Sequence, residues 1–537
     1  MTRCIHCTRC VRFGSEIAGV DYLGTLNRGT STEIGSYVSK MFNSEISGNV
    51  IDLCPVGALT SKPYAFKARP WELRINESID LTDSLGSNIY VNFKETEIMR
   101  ILPKNNSEIN ENIISDKGRF SYDSLKNQRL QTIFKSIDQS KYEPINWISA
   151  FQKLDLLLKN DNQYKVSFIV NEELDLEALS FLNIIKNKYY RQVKIQLLKS
   201  SSNQNLFISG DTNKILDIKK NSKISFLISS NIRIESAIIN TKIRSKVLSQ
   251  NFDVISLGQK FNSSFPVKFV NINLNRVLET FEAKSKVSSL LISSQAPLIF
   301  LGEGLNKRFL GSFNLITLIK KIIPSAILLN IAQSSNTEGA AFLGFYSVNR
   351  KTINSSSSII AINLEDNIYV RKVLKNFTGS LIWCNTHGSK IATKADMLIP
   401  TLTSFESEGV YINLEQRAQK TLKTLPGTND SREIKKILSA LYPEIDFDIT
   451  KKNVNFLNFF KEIIAQPNKF QLLKNEFISG KLFENKYLNT KNYYNKYPLK
   501  PTVTDFYRTN KFTKNSLIMA KCSQEMRKNS NNFKIND

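Results

Sequence analysis

Residues 4–10 read Cys4-Ile-His-Cys7-Thr-Arg-Cys10, and a fourth cysteine, Cys54, stands directly before Pro55. Three thiolates at three-residue intervals can surround one iron–sulfur cubane from a single loop. A distant Cys-Pro pair supplies the fourth ligand in the same pattern. The spacing therefore predicts that Cys4, Cys7, Cys10 and Cys54 bind one 4Fe-4S cluster.

Other uses of these cysteines stay open at this point. A structural zinc site commonly takes two separated cysteine pairs or histidines, whereas here the division is three plus one. His6 lies inside the loop and could replace a cysteine as an iron ligand. A disulfide framework is disfavoured, because six cysteines in 537 residues are sparse. Three arginines lie among the ligands and could offset the negative charge of a cluster, or could simply be solvated: Arg3, Arg9 and Arg12.

Composition is that of a large globular chain of several domains, with 41% apolar and 23% charged residues among 537. No run of eighteen apolar residues occurs, so no membrane-spanning helix is expected.

The formal charge of +25 indicates an acidic partner. Nucleic acid is disfavoured, because the lysines are spread along the chain without a recognition motif. A basic surface without a specific role is the alternative.

The apolar pattern predicts an α/β multidomain protein in four parts. Residues 1–75 form a cluster domain of loops and short helices, and residues 76–130 form a small strand-rich module with strands at 88–93 and 98–102. Residues 131–440 alternate short apolar strands with amphipathic helices, which is typical of parallel sheets with both faces covered. Residues 441–537 form an extension over partner subunits, with a helix over 456–464 and an extended polar stretch at 489–495. The predicted strands of the third part are 166–170, 224–228, 298–301, 359–363 and 381–383; its predicted helices are 174–188, 234–248, 313–323 and 368–376.

Ligands of parallel α/β sheets bind at the carboxyl ends of the strands. Two predicted strand ends, residues 229–232 and 363–366, contain no glycine, although a phosphate-rich cofactor usually needs glycines there to approach backbone N–H groups. Gly302-Glu-Gly304 is a single Gly-x-Gly, predicted to be a strand-to-helix turn. Cys384 is predicted to be a buried free thiol rather than a metal ligand. The sequence thus predicts that this region binds no such cofactor.

Several stretches of the chain closely resemble the large iron–sulfur subunit of respiratory complex I, NADH:ubiquinone oxidoreductase. The resemblance is dense in the first 130 residues and patchy afterwards. Its segments are residues 1–13, 15–19, 54–66, 68–72, 77–80, 86–89, 100–103, 114–117 and 119–120, and then 395–396, 398–400, 505–507 and 519–522.

This resemblance implies a ferredoxin-like cluster domain followed by a molybdopterin-oxidoreductase-like parallel α/β domain without the pterin cofactor. It implies an electron-relay subunit of mitochondrial complex I, in which one 4Fe-4S cluster passes single electrons from the NADH/FMN side towards ubiquinone. No independent active site is then expected in this chain. The alternatives are a catalytic molybdenum or tungsten oxidoreductase, such as a formate dehydrogenase, and a structural module that the cluster only holds together.

The chain departs from the family pattern in one respect. Family members carry, upstream of the triple cysteine, a 2Fe-2S domain and a 4Fe-4S site with one histidine and three cysteine ligands. The remaining cysteines here, Cys384 and Cys522, are isolated. We therefore expect the C-terminal portion of a split, organelle-encoded subunit, whose upstream clusters lie on a separate polypeptide.

Abundant Asn, Ile and Lys agree with an AT-rich organelle genome, which predicts a mitochondrial protein without a presequence. Its expected place is the peripheral arm on the matrix side of the inner membrane, beside flavin-bearing and quinone-module subunits.

Overall fold

The structure is a computed structural model. It describes residues 3–36, 41–138, 141–159, 166–189, 193–197, 222–250, 252–270, 289–305, 319–345, 356–443 and 503–534, the last four ranges with gaps of one to three residues.

The N-terminal region consists of loops and short elements, as its sequence predicts. Helix α1 (Arg9–Arg12) carries Cys10 and continues into a π-helical turn, Phe13–Ala18. Strands β1 (Leu23–Leu26) and β2 (Glu33–Ser36) form an antiparallel ribbon. Helix α2 (Asn49–Leu53) ends at Cys54. Short 3-10 turns at Gly29–Ser31 and Pro70–Glu72 complete the region.

A three-stranded antiparallel sheet follows, in the order β3, β4, β5. The predicted strands at 88–93 and 98–102 are confirmed. Glu95 makes the turn between them with a φ of 53°. Helix α3 (Asp116–Phe120) then begins at Ser115, whose hydroxyl accepts the N–H of Gly118 at 3.1 Å. A 3-10 segment, Ser121–Lys126, follows it. The strands of this sheet are β3 (Arg74–Ile79), β4 (Asn88–Lys94) and β5 (Glu97–Pro103).

The first large sheet has seven strands in the order β7-β6-β17-β16-β15-β8-β9. The five strands from β17 to β9 run parallel, and the hairpin β6–β7 pairs antiparallel at one edge. Its apolar strands are buried, and the core includes Phe168, Phe181 and Trp383. Its strands are β6 (Ile133–Asp138), β7 (Lys141–Ile145), β8 (Val166–Val170), β9 (Val193–Leu197), β15 (Ser358–Ile362), β16 (Ser380–Asn385) and β17 (Met397–Pro400).

The second large sheet has five parallel strands in the order β12-β11-β10-β13-β14. The predicted strands at 224–228 and 298–301 are confirmed. The two sheets together confirm the α/β multidomain class with mainly parallel strands. The strands are β10 (Ile224–Ile228), β11 (Asp253–Leu257), β12 (Lys268–Val270), β13 (Leu298–Leu301) and β14 (Ile327–Asn330).

One helix expectation needs correction. The predicted helix 234–248 is two helices, α6 (Ile232–Glu235) and α7 (Ala237–Ser249). Ser236 separates them with φ −147° and ψ 87°, and its hydroxyl donates to the Asp83 carboxylate at 3.2 Å. A serine that finds a side-chain partner outside the helix competes with helical continuation.

Among the described residues, the remaining elements are seven helices, two 3-10 turns and one hairpin. In chain order, the helices not yet named are α4 (Trp147–Lys159), α5 (Leu176–Lys188), α8 (Thr337–Phe342), α9 (Ile368–Leu374), α10 (Ile434–Leu441), α11 (Lys511–Asn515) and α12 (Leu517–Lys534), with 3-10 turns at Ala392–Lys394 and Phe506–Arg508 and a hairpin of β18 (Gly409–Ile412) and β19 (Ala418–Thr421). Most of the predicted helix 313–323 and all of the predicted elements at 456–464 and 489–495 lie outside the described residues. Among the described helices, none combines the length and apolarity needed to cross a membrane.

Candidate cluster site

The loop that carries the first three cysteines is tightly curved. His6 and Thr8 have φ angles of 51° and 59°, a left-handed conformation that non-glycine residues seldom adopt. Such conformations persist where the surrounding structure imposes them, and they concentrate at functional sites. The loop then enters α1, where the N–H of Arg12 donates to the Thr8 carbonyl at 3.0 Å. Cys10 is buried, Cys4 is half-buried and Cys7 is exposed.

Cys54 lies in a turn whose backbone N–H groups face its sulfur. The N–H of Leu59 donates to Cys54 Sγ at 3.5 Å. Burial raises the pKa of the Cys54 thiol, but backbone hydrogen bonds outweigh that effect and leave the pKa below its usual value; their donors are Leu59, Val56, Ala58 and Gly57. N–H groups that stabilise a thiolate are suited to a metal ligand.

The two cysteine segments lie side by side, because α1 packs against α2. A Cβ placed on Gly57 would lie 4.0 Å from Arg3 Nη1, so the first loop faces the turn after Cys54. Burial raises the pKa of Cys10, and the charges of Cys7 and Cys4 raise it further. All four cysteines are free thiols.

These residues are of the type that a 4Fe-4S cluster needs, and the two segments that carry them lie side by side. Within the described part of the chain, no three His, Cys, Asp or Glu side chains are arranged to hold one metal ion. A cubane takes one thiolate at each of four irons, so its ligands surround a volume and need not meet at one point. His6 is exposed, as are Arg3, Arg9 and Arg12.

The carboxyl end of the seven-stranded sheet is the second place where the fold could bind a ligand. The strands β8, β15 and β16 lead there into Glu173, Glu365 and His387, all buried. The turn after β15 is made by Asn363, with a φ angle of 59°. In the five-stranded sheet, the turn after β10 is made by Ser229, with a φ angle of 52°. Left-handed turns therefore occur at these strand ends without glycine.

Helix α11, from the C-terminal segment, covers this end of the sheet. Lys511 is buried and donates from Nζ to Asn363 Oδ1, with Glu173 Oε2 at 3.8 Å. Burial lowers the pKa of Lys511 to about 8, although Glu173 and Glu365 favour its charged form. The Phe512 ring meets His387 edge-on, with ring centroids 5.6 Å apart. Burial lowers the pKa of His387 to about 3, so this histidine is neutral.

Little space remains beside Lys511. The cavity lined by Lys511, Glu173, Asp175 and Tyr411 has a volume of about 50 Å³. Pockets for cofactor-sized ligands span roughly 300–1,000 Å³. Sequence reasoning missed Lys511, since a lysine in a Lys- and Asn-rich tail carries no local signal that it is buried against a distant sheet.

The expectation for Cys384 is confirmed. It is a buried free thiol in β16, and burial raises its pKa to about 12. The strand-to-helix turn predicted at Gly302-Glu-Gly304 stays a prediction, because Glu303 and residues 306–318 lie outside the described residues. Gly302 itself follows β13 where a Cβ would lie 2.3 Å from the Ser229 carbonyl oxygen, so the close approach of the two strand ends requires glycine there.

Four family descriptions match the chain. NADH-quinone oxidoreductase subunit 3, ferredoxin-like domain, matches residues 1–60, and Molybdopterin oxidoreductase matches residues 127–444. The NDSU1/NuoG-like 4Fe-4S domain of NADH-ubiquinone oxidoreductase matches residues 73–123, and a C-terminal domain of NADH-ubiquinone oxidoreductase matches residues 478–522. Residues 73–123 contain no cysteine or histidine. The candidate thiolate ligands therefore all lie in the first match.

Relatives align along almost the whole chain. The NADH-ubiquinone oxidoreductase 75 kDa subunit of Reclinomonas americana is 35% identical over 97% of this chain and 79% of its own length. The mitochondrial NADH dehydrogenase [ubiquinone] iron-sulfur protein 1 of Solanum tuberosum is 31% identical, covering 98% of this chain and 72% of its own length. The mitochondrial NADH-ubiquinone oxidoreductase 78 kDa subunit of Candida albicans is 32% identical, covering 97% and 74%. The chain therefore belongs to the family of the large iron–sulfur subunit of NADH–ubiquinone oxidoreductase, and its larger part is a molybdopterin oxidoreductase domain.

Proposed function

We propose that this chain relays single electrons within NADH:ubiquinone oxidoreductase through one 4Fe-4S cluster bound by Cys4, Cys7, Cys10 and Cys54. The observation that carries the proposal is the pairing of the curved cysteine loop with the Cys54 turn, where backbone N–H groups favour the thiolate. When bound, such a cluster supplies reversible one-electron chemistry. The chain has no substrate-binding role of its own in this proposal.

The protein residues have two tasks at this site. They hold four thiolates in place, and they set the polarity around the sulfurs through backbone N–H groups and the nearby Arg3 guanidinium. Cys10 is buried whereas Cys7 reaches the surface. The side of the cluster next to Cys10 would be shielded from solvent. The side next to Cys7 would face a neighbouring redox centre.

We propose further that the α/β domain holds no molybdopterin. Lys511 and Phe512 occupy the sheet end where a cofactor would bind, and the acidic Glu173 and Glu365 would repel phosphate groups there. The names of the relatives favour complex I over a molybdenum or tungsten oxidoreductase such as a formate dehydrogenase. Molybdenum and pterin at one equivalent per chain would contradict this part of the proposal.

Other subunits of the complex are the proposed partners. The cluster domain exposes large apolar side chains beside the cysteine segments, with Trp71 80% and Ile5 60% exposed and Phe66 fully so. Large apolar side chains left exposed on the domain that carries the cysteines are candidates for an interaction surface. We propose that a separate polypeptide, carrying a 2Fe-2S cluster and a 4Fe-4S cluster with one histidine and three cysteine ligands, docks there. Flavin-bearing and quinone-module subunits are its proposed neighbours, on the matrix side of the mitochondrial inner membrane.

The ligand set is tested by Cys54→Ser in the assembled complex, with Cys384→Ser as the matched control. We expect Cys54→Ser to abolish the EPR signal of one 4Fe-4S cluster and to lower iron and acid-labile sulfide by about four atoms each per complex. Cys384→Ser should leave both unchanged. Zinc at the site, or a cluster retained in Cys54→Ser, would contradict the proposed ligands.

The docking surface is tested by the double variant Phe66→Ala, Trp71→Ala. We expect the cluster-bearing polypeptide to be lost when the complex is purified through this chain. Ile148→Ala is the matched control, because Ile148 is 74% exposed on α4, in the α/β domain. Retention of the polypeptide in the double variant, or its equal loss in the control, would contradict this surface.

A further inference from the structure

Helix α2 carries the fourth proposed ligand but cannot hold its own position. It has five residues, Asn49–Leu53, and Cys54 is its C-cap. A single helical turn gains too few hydrogen bonds to offset the entropy of ordering it, so its stability comes from tertiary contacts. The placement of Cys54 therefore depends on what holds α2.

Asp116, the first residue of α3, binds the beginning of α2. Its carboxylate accepts the N–H of Ser47 at 3.1 Å, the Ser47 hydroxyl at 2.6 Å and the N–H of Gly48 at 2.8 Å. The side chain lies in the protein interior, with 3% of the residue exposed. Hydrogen bonds to a buried carboxylate are among the stronger contacts available to a backbone N–H.

Arg119, one turn further along α3, binds the side of α2. One guanidinium nitrogen, Nη2, donates to Asn49 Oδ1 at 3.0 Å and to Asp52 Oδ2 at 2.5 Å. A Cβ placed on Gly48 would lie 2.6 Å from Arg119 Cδ, so the helix and the arginine are in close contact. Asn49 adds two further contacts between α2 and the residues before α3. Its Nδ2 donates to the Ile114 carbonyl, and its Oδ1 accepts the N–H of Ile114.

The contacts join two regions that are distant in sequence. Helix α3 is itself anchored to the three-stranded sheet, since Gly118 packs against the Asp80 carboxylate. The hydrogen bonds of Asp116 and Arg119 described above go to α2 and the residues just before it, and not to the proposed cysteine ligands. Together they hold the beginning and one side of α2 against α3, and Cys54 follows at its other end.

We propose that Asp116 and Arg119 are positioning residues that hold α2, and with it Cys54, in the geometry the cluster requires. The inference rests on the proposed ligation by Cys54. Residues that orient a metal ligand without touching the metal typically change metal affinity or activity by roughly 10–100-fold when substituted. Removing the contacts of Asp116 and Arg119 with α2 should therefore weaken retention of the cluster, even though all four thiols remain.

The test uses Arg119→Lys in the assembled complex. Lysine keeps the charge, but its Nζ is one bond closer to the backbone than Arg119 Nη2, so it falls short of the position that contacts both Asn49 and Asp52. We expect iron release to a chelator to be roughly ten-fold faster than in the wild type, with a broadened EPR signal of this cluster. The matched control is Arg129→Lys, because Arg129 forms a buried ion pair with Glu406 in the α/β domain, with side-chain exposures of 3% and 4%. The control should lower thermal stability without changing the rate of iron release.

A milder second variant keeps the inference testable if Arg119→Lys does not assemble. Asp52→Asn removes the negative charge of the more exposed partner, whose side chain is 28% exposed, and should give a smaller increase in iron release. Equal iron release in wild type, Arg119→Lys and Asp52→Asn, or equal acceleration in the Arg129→Lys control, would overturn the positioning role. If Cys54→Ser keeps its cluster, the proposed ligand set itself fails. Loss of the cluster in Cys54→Ser with unchanged release in Arg119→Lys would refute only the positioning role.

Discussion

Gly302 shows how one residue can decide the packing of two strands. Its N–H donates to the Ile228 carbonyl at 3.0 Å, which brings the ends of β13 and β10 together. A Cβ at this position would lie 2.3 Å from the Ser229 carbonyl oxygen and 2.7 Å from Ser230 Cα. Both are backbone atoms, so the contact cannot be relieved by a side-chain rotation.

We expect Gly302→Ala to destabilise the chain by about 1–3 kcal/mol, because an extra methyl group in a close-packed interior forces the backbone to shift. The change should appear as a lower urea midpoint in equilibrium unfolding. Gly388→Ala is the control, since a Cβ there would meet no atom within 4 Å. Similar midpoints for the two variants would show that the strand ends can separate without cost.

At the scale of elements, α5 begins at a carboxylate whose surroundings disfavour its charge. Asp175 caps the helix by accepting the N–H of Ala178 at 3.2 Å. Burial raises the pKa of Asp175 from 3.8 to about 6; Lys435 acts in the opposite direction and Glu177 in the same one. The folded chain therefore binds this proton more tightly than the unfolded chain does.

The sign of the resulting pH dependence follows from the raised pKa. Protonation of Asp175 adds stability that is fully present below about pH 4 and is lost as the pH rises through 6. Asp175→Asn should remove this contribution while keeping a capping side chain. We expect the wild type to gain about 2 kcal/mol relative to the variant between pH 7 and pH 4. Parallel stability curves for the two proteins over this range would contradict the raised pKa.

At the scale of the whole molecule, the C-terminal segment closes the end of the seven-stranded sheet. Lys511 reaches Asn363 and Glu173 across more than a hundred residues of sequence, and Lys514 Nζ lies 3.6 Å from Glu365. The segment thus occupies the position in which an α/β sheet usually binds its ligand.

We expect Lys511→Met to destabilise the chain by about 3–5 kcal/mol, because it removes the buried cation that faces Glu173 and Glu365. Lys514→Met should cost less, about 1–3 kcal/mol, because the Lys514 side chain is 28% exposed and water can partly replace it beside the buried Glu365. The two variants are compared by unfolding in denaturant. Equal losses would mean that Lys511 contributes no more than the partly exposed Lys514.

Much of the fold could be predicted from local pattern. The strands at 166–170, 224–228 and 298–301 have the predicted bounds, because apolar runs of four or five residues are too short for a helix and indicate a strand buried on both faces. The division of the predicted helix at Ser236 could not be predicted, since it depends on Asp83, which is 153 residues away in sequence.

The sequence by itself determined the chemistry proposed for the cluster, because thiolate ligands are defined by residue type and spacing, and both can be read along the chain. It also determined the alternation of strands and helices. Only the tertiary structure decided how α3 holds α2 through Asp116 and Arg119, and which side chains close the seven-stranded sheet. Those contacts join residues far apart in the chain, and their strength depends on burial, which no local pattern of residues specifies.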